Sequence, residues 1–395
     1  MLIEYLDEFI LAVSRQNGHK VAELLDLDEE TAITIVDECH RLRLKANEPL
    51  DSFRNNLLGK RQIDQQWGDV VAGYLRVLMH KSDNSNMLFN EQLALVQTVQ
   101  RIFQSTVNWM LPVVYTTHNA LWESASLESE KEECARIINK CVTICLVDRS
   151  PLNQSRKWGA YRVIALLLRV YFSLGQLNLC GNVLRAMEKA DLPNVTRYPV
   201  AQTVVFKYWL GRYYFVHEEW AKAESELMSA FEHCHQDSKK NKRLILHYLI
   251  PLRLLLHGIK PHSILLKRYS MTEHFYAPAI KALFCGDLKT YMALLKKFER
   301  PLLKLGSFLL WEKLLFLLYR SLLRKIYLLN GSSTRLPLAL ALCIFHLHDN
   351  SLTDEDQLAC HVANLIATGL IKGYISQEKA IIVLSQKDPF PKLQQ

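Results

Sequence analysis

The chain has 395 residues, of which 49% are apolar and 22% are charged, and its formal net charge is +8. This composition excludes a largely disordered chain, and the length suffices for two or three packed units. The nine cysteines are odd in number and scattered, which is typical of reduced thiols inside a cell and not of a disulfide framework.

The net charge is divided unevenly along the chain. Residues 1–150 hold 15 lysines and arginines against 22 acidic residues, whereas residues 151–395 hold 33 against 18. The first part therefore carries −7 and the second +15. Such asymmetry favours a polyanionic partner for the C-terminal part, either nucleic acid or an acidic protein segment.

Helical periodicity dominates the first 150 residues. Apolar residues recur at helical spacing, so this acidic region is predicted to be helical throughout. A polar segment with Pro151, residues 148–157, is the best candidate for a domain boundary. The predicted helices are 2–14, 31–45, 65–80, 92–115 and 128–147.

Residues 151–305 contain a weak internal repeat. Three helix-turn-helix junctions place Leu177, Trp220 and Leu288 at the same point after each turn. Positions 3, 7 and 10 residues later lie on the same helical face, so each second helix buries one stripe. The middle unit has the small-residue spacing of a tetratricopeptide (TPR) repeat, with Gly211. We predict TPR-like helix pairs here, with an additional pair at 241–269.

Residues 306–395 have the pattern of a winged helix. Helices are predicted at 308–329, 335–346 and 353–368, and Gly369 follows as a residue able to adopt a left-handed backbone. Two runs rich in β-branched residues, 371–375 and 380–385, are split by a polar turn, so they predict a two-stranded wing.

A helical solenoid followed by a winged helix resembles the PCI domain of proteasome lid, signalosome and translation-initiation subunits. The segment Leu365–Ser376 resembles the helix-to-wing signature of that family. Further segments resemble the branch found in the transcription and export complex 2: Asn108–Val113, Lys157–Gly159, Phe231–His235, Lys240–Arg243 and Pro389–Pro391. The implied fold is mainly α, a right-handed solenoid capped by a winged helix, with a PCI module over roughly 200–390.

The resemblance implies a non-enzymatic scaffold and nucleic-acid-binding subunit of a nuclear messenger RNA export complex. Relatives pair with a GANP-type scaffold that has its own PCI domain, and they bind a small acidic protein of the Dss/Sem kind. The expected ligand is RNA or single-stranded nucleic acid, bound mostly without sequence preference. The expected location is the nucleus at the pore, with a cytoplasmic pool. No cofactor, metal, small-molecule substrate or membrane insertion is expected.

Three basic groups are candidates for binding nucleic acid or the acidic protein. Each group also has a plain interpretation as a solvated surface, because charge runs are often only that. The candidates are Lys239, Lys240, Lys242 and Arg243; Lys313, Arg320 and Arg324 along the predicted 308–329 helix; and Lys372, Lys379 and Lys387 around the wing.

The wing is the candidate surface for docking a second PCI protein. Its residues are Gly369, Ile371, Gly373, Tyr374 and Ile375. The third helix of the module begins with acidic residues and has no lysine or arginine before Lys372, so sequence-specific reading of duplex DNA by this helix is not expected.

Other functions remain open at the level of sequence. The chain resembles proteasome-lid and initiation-factor PCI subunits in fold, and a TPR-like peptide-binding adaptor without a nucleic-acid role is a further alternative. The His233–His235 segment lacks a second ligand pair at zinc-finger spacing, and no phosphate-binding loop or HExxH motif occurs.

Overall fold

The computed structural model describes residues 1–46, 48–59, 63–82, 87–271, 275–348 and 354–392. The chain forms two compact units, Met1–Trp209 and Leu210–Gln395. The limits predicted at 150 and 305 remain predictions about the organisation of the sequence.

The first unit is built from helices that pack mainly on their sequence neighbours, such as α5 on α6 and α8 on α9. Its helices are α1 Leu2–Ser14, α2 Gly18–Leu24, α3 Glu29–Arg41, α4 Leu50–Leu58, α5 Gln65–Ser82, α6 Leu88–Ser105, α7 Leu111–Ser124, α8 Glu128–Leu146, α9 Ala160–Leu174, α10 Leu177–Lys189 and the start of α11 Val200–Val216.

Three aromatic rings in contact connect the beginning of the first unit with its middle. The ring centroids of Phe9 and Trp67 are 6.2 Å apart, and those of Trp67 and Trp109 are 5.8 Å apart. Gly18 fits here because a Cβ at this position would come within 1.7 Å of the Trp109 carbonyl oxygen. A side chain at Gly18 would therefore force the two segments apart.

The polar segment at 148–157 is a closely bonded junction. The buried Asp148 carboxylate accepts hydrogen bonds from Ser155 Oγ at 2.7 Å and from the Arg156 main-chain nitrogen at 2.8 Å. The Arg156 guanidinium also donates to it, at 2.7 Å. Burial by itself would raise the pKa of Asp148, but these hydrogen bonds outweigh it and hold the pKa well below its usual range.

A buried histidine lies between helices α6 and α7. His118 Nδ1 is 2.7 Å from the Val114 carbonyl oxygen, and its Nε2 is 2.9 Å from Gln100 Nε2. A neutral ring that donates through Nδ1 and accepts at Nε2 satisfies both contacts. Burial lowers the pKa of His118 to about 4, although the bond to Val114 acts in the opposite direction.

The second unit continues the helices and ends in a small sheet. Its elements are the end of α11, α12 Trp220–His233, α13 Lys239–His257, α14 Ser263–Arg268, α15 Tyr276–Cys285, α16 Leu288–Lys297, α17 Glu299–Leu305, α18 Phe308–Lys313, α19 Leu315–Leu329, β1 Arg335–Pro337, α20 Leu338–His348, α21 Glu355–Ala367, β2 Gly373–Ser376 and β3 Ile381–Leu384.

The predicted repeat junctions are confirmed. Helices α10, α12 and α16 begin at Leu177, Trp220 and Leu288. Most of the predicted stripe is buried, including Cys180, Ala223, Leu227, Ala230, Tyr291 and Leu295. Within the second unit, a Cβ on Gly211 would come within 2.7 Å of Leu227 Cγ, so the missing side chain permits the close approach of α11 and α12.

The winged helix is confirmed, with two differences from the sequence prediction. The sheet has three antiparallel strands in the order β1-β3-β2, because residues 335–337 form a strand and not the start of a helix. The predicted 308–329 helix is two helices, α18 and α19, separated at Leu314. The prediction of a mainly helical solenoid with a C-terminal winged helix is confirmed.

Candidate nucleic-acid interface

The basic cluster at the start of α13 is largely exposed. Lys239, Lys240 and Arg243 are solvent-exposed, and within the described ranges no carboxylate lies at ion-pair distance from them. Cations in the first turn interact unfavourably with the helix dipole. An anion bound at Lys239 and Lys240, in the first turn of α13, would offset that local cost.

Lys242 does not belong to the exposed cluster, so its prediction as a surface residue is wrong. Its side chain is only 7% exposed, and its Nζ lies 4.6 Å from the centroid of the Phe231 ring. Three residues after Lys239, the helix has turned toward α12. Lys242 therefore contributes packing and a cation–π contact within the protein.

The predicted stripe of Lys313, Arg320 and Arg324 is also wrong, because Lys313 lies on a different helix from the two arginines. Lys313 Nζ pairs with Glu218 Oε2 at 2.5 Å and lies 5.1 Å from the Trp220 ring centroid. Its charge is thus already engaged within the second unit.

Arg320 forms hydrogen bonds that hold the C-terminal segment, residues 386–392, in place. Its Nε donates to the Leu370 carbonyl oxygen at 3.0 Å, and a terminal nitrogen donates to the Pro391 carbonyl oxygen at 2.6 Å. Burial lowers the pKa of Arg320, the charge of Arg324 lowers it further, and Asp388 acts in the opposite direction. Arg320 is therefore a structural residue that links α19 to the C-terminal segment.

Arg324 is exposed and faces a cavity of about 830 Å³ in the second unit. The lining residues are His257, Gly258, Leu283, Phe284, Leu317, Arg320, Ser321, Arg324, Lys325, Leu328 and Lys392. Sequence reasoning missed this cavity because its residues come from three helices and the C-terminal segment, which no local pattern connects.

The three wing lysines are exposed. Lys372 Nζ lies 3.3 Å from an Asp388 carboxylate oxygen, a surface pair that contributes little to stability. For Lys379 and Lys387, no ion pair is formed with any other described residue. Both are available to an anionic ligand.

The predicted docking residues of the wing differ in exposure. Tyr374 is 62% exposed, Ile375 is half-buried, and Gly369 has a φ of +72° as predicted. Ile371 is buried in the core, so its assignment to the docking surface is wrong. Gly373 packs against β3, where a Cβ would approach the Val383 carbonyl oxygen within 2.3 Å.

Exposed leucines near the winged helix were not singled out by sequence reasoning. Leu329 is 84% exposed at the end of α19, and Leu347 is 81% exposed near the end of α20. Both helices are rich in leucine, so the sequence does not distinguish these exposed leucines from buried ones such as Leu322 and Leu338. Exposed apolar side chains mark a surface that binds other proteins where they form a contiguous patch.

The third helix of the module begins with acids, as predicted. The side chain of Asp354 accepts a hydrogen bond from the Gln357 main-chain nitrogen, and Glu355 and Asp356 follow in the first turn. The helix dipole stabilises carboxylates at a helix N-terminus, but their negative charge repels phosphates. This end of α21 is therefore unsuited to contact a nucleic-acid backbone.

The described residues include neither a cluster of metal-binding side chains nor a membrane-spanning helix. No group of three or more His, Cys, Asp or Glu side chains among them is placed to hold a metal ion. None of the helices they form is both long and apolar enough to cross a membrane.

Comparison with known proteins identifies the family. A model of the PCI domain matches residues 295–386. PCI domain-containing protein 2 of Xenopus laevis is 31% identical, covering 99% of this chain and 97% of the relative. The Danio rerio protein of the same name is 30% identical, covering 99% and 98%. The chain belongs to the PCI domain-containing protein 2 family. The protein CSN12 homologue of Schizosaccharomyces pombe is also similar, at 34% identity over 84% of this chain and 85% of the relative.

The PCI resemblance is thereby confirmed, and the chain is a member of a scaffold family that is generally non-catalytic. The PCI match includes Lys313, Arg320, Arg324, Lys372 and Lys379 together with the wing. The cluster at 239–243 precedes it, and Lys387 follows it by one residue. The PCI module predicted to start near residue 200 is longer than this match, and its start remains a prediction.

Proposed function

We propose that this PCI protein is a non-enzymatic scaffold and nucleic-acid-binding subunit of a nuclear messenger RNA export complex. In that complex it pairs with a GANP-type PCI scaffold and a small acidic Dss/Sem-type protein. The observation that carries the nucleic-acid part is the set of exposed cations at Lys239, Lys240 and Arg243, which have no carboxylate partner among the described residues.

The chemistry of this set suits phosphate contacts without base recognition. Lysine and arginine heads bind backbone phosphates through charge, and such contacts give affinity that falls steeply with salt. The third helix offers acids instead of base-reading cations, which supports non-specific binding. We therefore propose single-stranded RNA as the ligand.

Protein partners are proposed on a separate observation. Tyr374 on the β2 edge and the exposed Leu329 and Leu347 provide apolar side chains on the unit that contains the winged helix. Apolar and aromatic side chains are typical of the cores of protein interfaces. We assign them to docking of the PCI partner, whereas the basic excess of residues 151–395 suits the acidic protein.

The RNA assignment is tested by salt-dependent binding of a single-stranded oligonucleotide. Replacing Lys239, Lys240 and Arg243 with Glu should make the slope of log affinity against log salt shallower by about 2. Each lost phosphate contact accounts for roughly 0.7 of that change. A matched control is Lys260, Lys289 and Lys304 to Glu, which reverses three exposed charges elsewhere in the unit. If the two triple variants change the salt dependence equally, the cluster is not part of the RNA interface.

The partner assignment is tested by purifying the tagged chain from nuclear and cytoplasmic fractions. Recovery of a second PCI protein and a small acidic protein from the nuclear fraction is the expected result. Tyr374→Asp should release the PCI partner, while Leu303→Asp, an exposed leucine on α17, should not. Recovery only from the cytoplasm would overturn the nuclear part of the proposal.

A signalosome-type assembly is the second candidate, favoured by the CSN12 name of similar relatives. It shares the PCI scaffold role and differs in its partners. The same purification distinguishes the two, because recovery of several signalosome-type PCI proteins without RNA would replace the export proposal.

A further inference from the structure

The cavity of about 830 Å³ in the second unit has a size typical of ligand pockets. The end of α13 contributes His257, α15 contributes Phe284, and α19 contributes Arg324 and Leu328. Lys392 of the C-terminal segment completes the lining. The site is thus formed by segments that are distant in sequence and fixed by the fold.

The lining is cationic. Arg320, Arg324, Lys325 and Lys392 contribute four positive charges, and no aspartate or glutamate belongs to the lining residues. Arg320 and Lys325 donate to main-chain carbonyl oxygens, which engages some of their donors without neutralising their charge. Arg324 and Lys392 have no ion pair with any described residue, so their charges remain for a ligand.

The positive groups lie close enough to act on each other. Arg320 and Arg324 are four residues apart on α19 and are therefore neighbours on its surface, and the charge of Arg324 lowers the pKa of Arg320. The two like charges repel each other, and Asp388, whose carboxylate pairs with Lys372, offsets only part of that repulsion at Arg320. An anion in the cavity would relieve this repulsion.

The cavity also offers an exposed aromatic ring. Phe284 is 42% exposed and Leu328 is 56% exposed, whereas Leu283 and Leu317 behind them are buried. Aromatic rings provide stacking platforms for unpaired bases, and arginine planes do the same. A planar base and a phosphate are the two groups that this lining suits together.

We propose that this cavity binds one nucleotide unit of single-stranded RNA, with its phosphate at Arg324 and Lys392 and its base against Phe284. The inference rests on the proposed RNA-binding function and names a site for it. An acidic peptide could pair with the cations, as acidic motifs do with arginine clusters, but it brings no planar ring to stack on Phe284. The exposed aromatic ring therefore favours a nucleotide over an acidic peptide.

The test is binding of the full chain to a uridine-rich 12-nucleotide RNA containing 4-thiouridine. We expect Phe284→Ala and Arg324→Glu each to weaken binding by about tenfold, in line with the loss of one stacked base or one phosphate contact. Phe284→Trp should retain binding because it keeps the ring. Photo-crosslinking should label a peptide from residues 276–285.

The matched control is Arg300→Glu on α17, an exposed arginine outside the lining. It makes the same charge change and should alter binding by less than about threefold, because a single remote surface charge is largely screened. Thermal unfolding of every variant checks that the fold is intact. If Phe284→Ala lowers the melting temperature, the position of the crosslink in the unaltered chain tests the cavity proposal instead.

The outcomes separate this inference from the proposed function. If RNA binds in a salt-sensitive way, but Phe284→Ala and Arg324→Glu bind like Arg300→Glu and no crosslink falls in 276–285, the cavity inference is overturned and RNA binding stands. If the unaltered chain does not bind RNA, both are overturned. Loss of binding to a glutamate-rich 12-residue peptide in Arg324→Glu, with RNA binding unchanged, would assign the cavity to an acidic protein instead.

Discussion

The Nζ of Lys242 lies 4.6 Å from the centroid of the Phe231 ring, with the lysine side chain almost entirely buried. A buried ammonium next to an aromatic face belongs to the packing of α12 on α13 and not to a surface for ligands. The basic run at 239–243 thus contains two kinds of residue with different expected mutational effects.

Lys242→Glu should destabilise the chain by about 2–4 kcal/mol, because it buries a carboxylate with no cationic partner. Lys239→Glu should change the free energy of unfolding by less than about 0.5 kcal/mol, since that side chain is exposed. Chemical denaturation of both variants provides the measurement. Equal stability of the two would contradict the burial of Lys242.

Leu227→Asp should unfold the second unit or lower its stability by more than about 4 kcal/mol. Leu227 is fully buried where Gly211 lets α11 approach α12, so the carboxylate would be buried without a partner. Leu227→Met is the control and should cost less than about 1.5 kcal/mol. Trp220→Asp should have a smaller effect than Leu227→Asp, because Trp220 is only partly buried. Circular dichroism during heating distinguishes these cases.

Arg320→Ala should release the C-terminal segment. Its two hydrogen bonds to Leu370 and Pro391 carbonyl oxygens involve a charged donor, and bonds of this kind are worth about 1.5–3 kcal/mol each, with partial exposure reducing the net loss. Limited proteolysis should then cut residues 386–392 faster. Arg324→Ala, on the same helix but without these bonds, should leave the cleavage rate unchanged.

Stability should decline as the pH falls from 6.5 to 4. Burial lowers the pKa of His118 to about 4, and burial together with Arg243 does the same for His247. In this pH range the unfolded chain binds protons that the folded chain does not, so folding becomes less favourable by up to about 1.4 kcal/mol per pH unit for each histidine. The loss begins near the ordinary histidine value and is complete near the folded value.

The measurement is the free energy of unfolding across that range for the parent and for His118→Gln. The variant should be less stable at pH 7.5, but its stability should fall less steeply between pH 6.5 and 4. An unchanged slope would show that His118 is protonated in the folded state. Asp148 acts in a separate window: its lowered pKa stabilises the fold above about pH 4 and is lost at lower pH.

The sequence predicted those features that depend on local periodicity. Leu177, Trp220 and Leu288 each follow a turn and begin an apolar stripe, so the helix starts could be located to the residue. Gly369 was predicted to be left-handed because a glycine after an apolar helix has few other roles. These predictions need only the spacing along one segment.

The failed predictions depend on partners that are distant in sequence. Residues 335–337 form a strand because they pair with 381–383, and three residues carry no periodic signal of their own. Lys313 is not on the helix of the two arginines because the helix is interrupted at Leu314. Its ammonium group pairs with Glu218 instead. The burial of Lys242 likewise depends on Phe231 from the preceding helix.

The C-terminal segment accepts hydrogen bonds from the winged-helix region at two places. The Lys372 main-chain nitrogen donates to the Pro389 carbonyl oxygen, and Arg320 donates to that of Pro391, beside the contact between the Phe390 and Tyr327 rings. A chain shortened after Gln386 would leave these two donors without acceptors and would also remove Lys392 from the cavity. A small truncation would therefore change folding and ligand binding together, and internal substitutions are needed to separate the two effects.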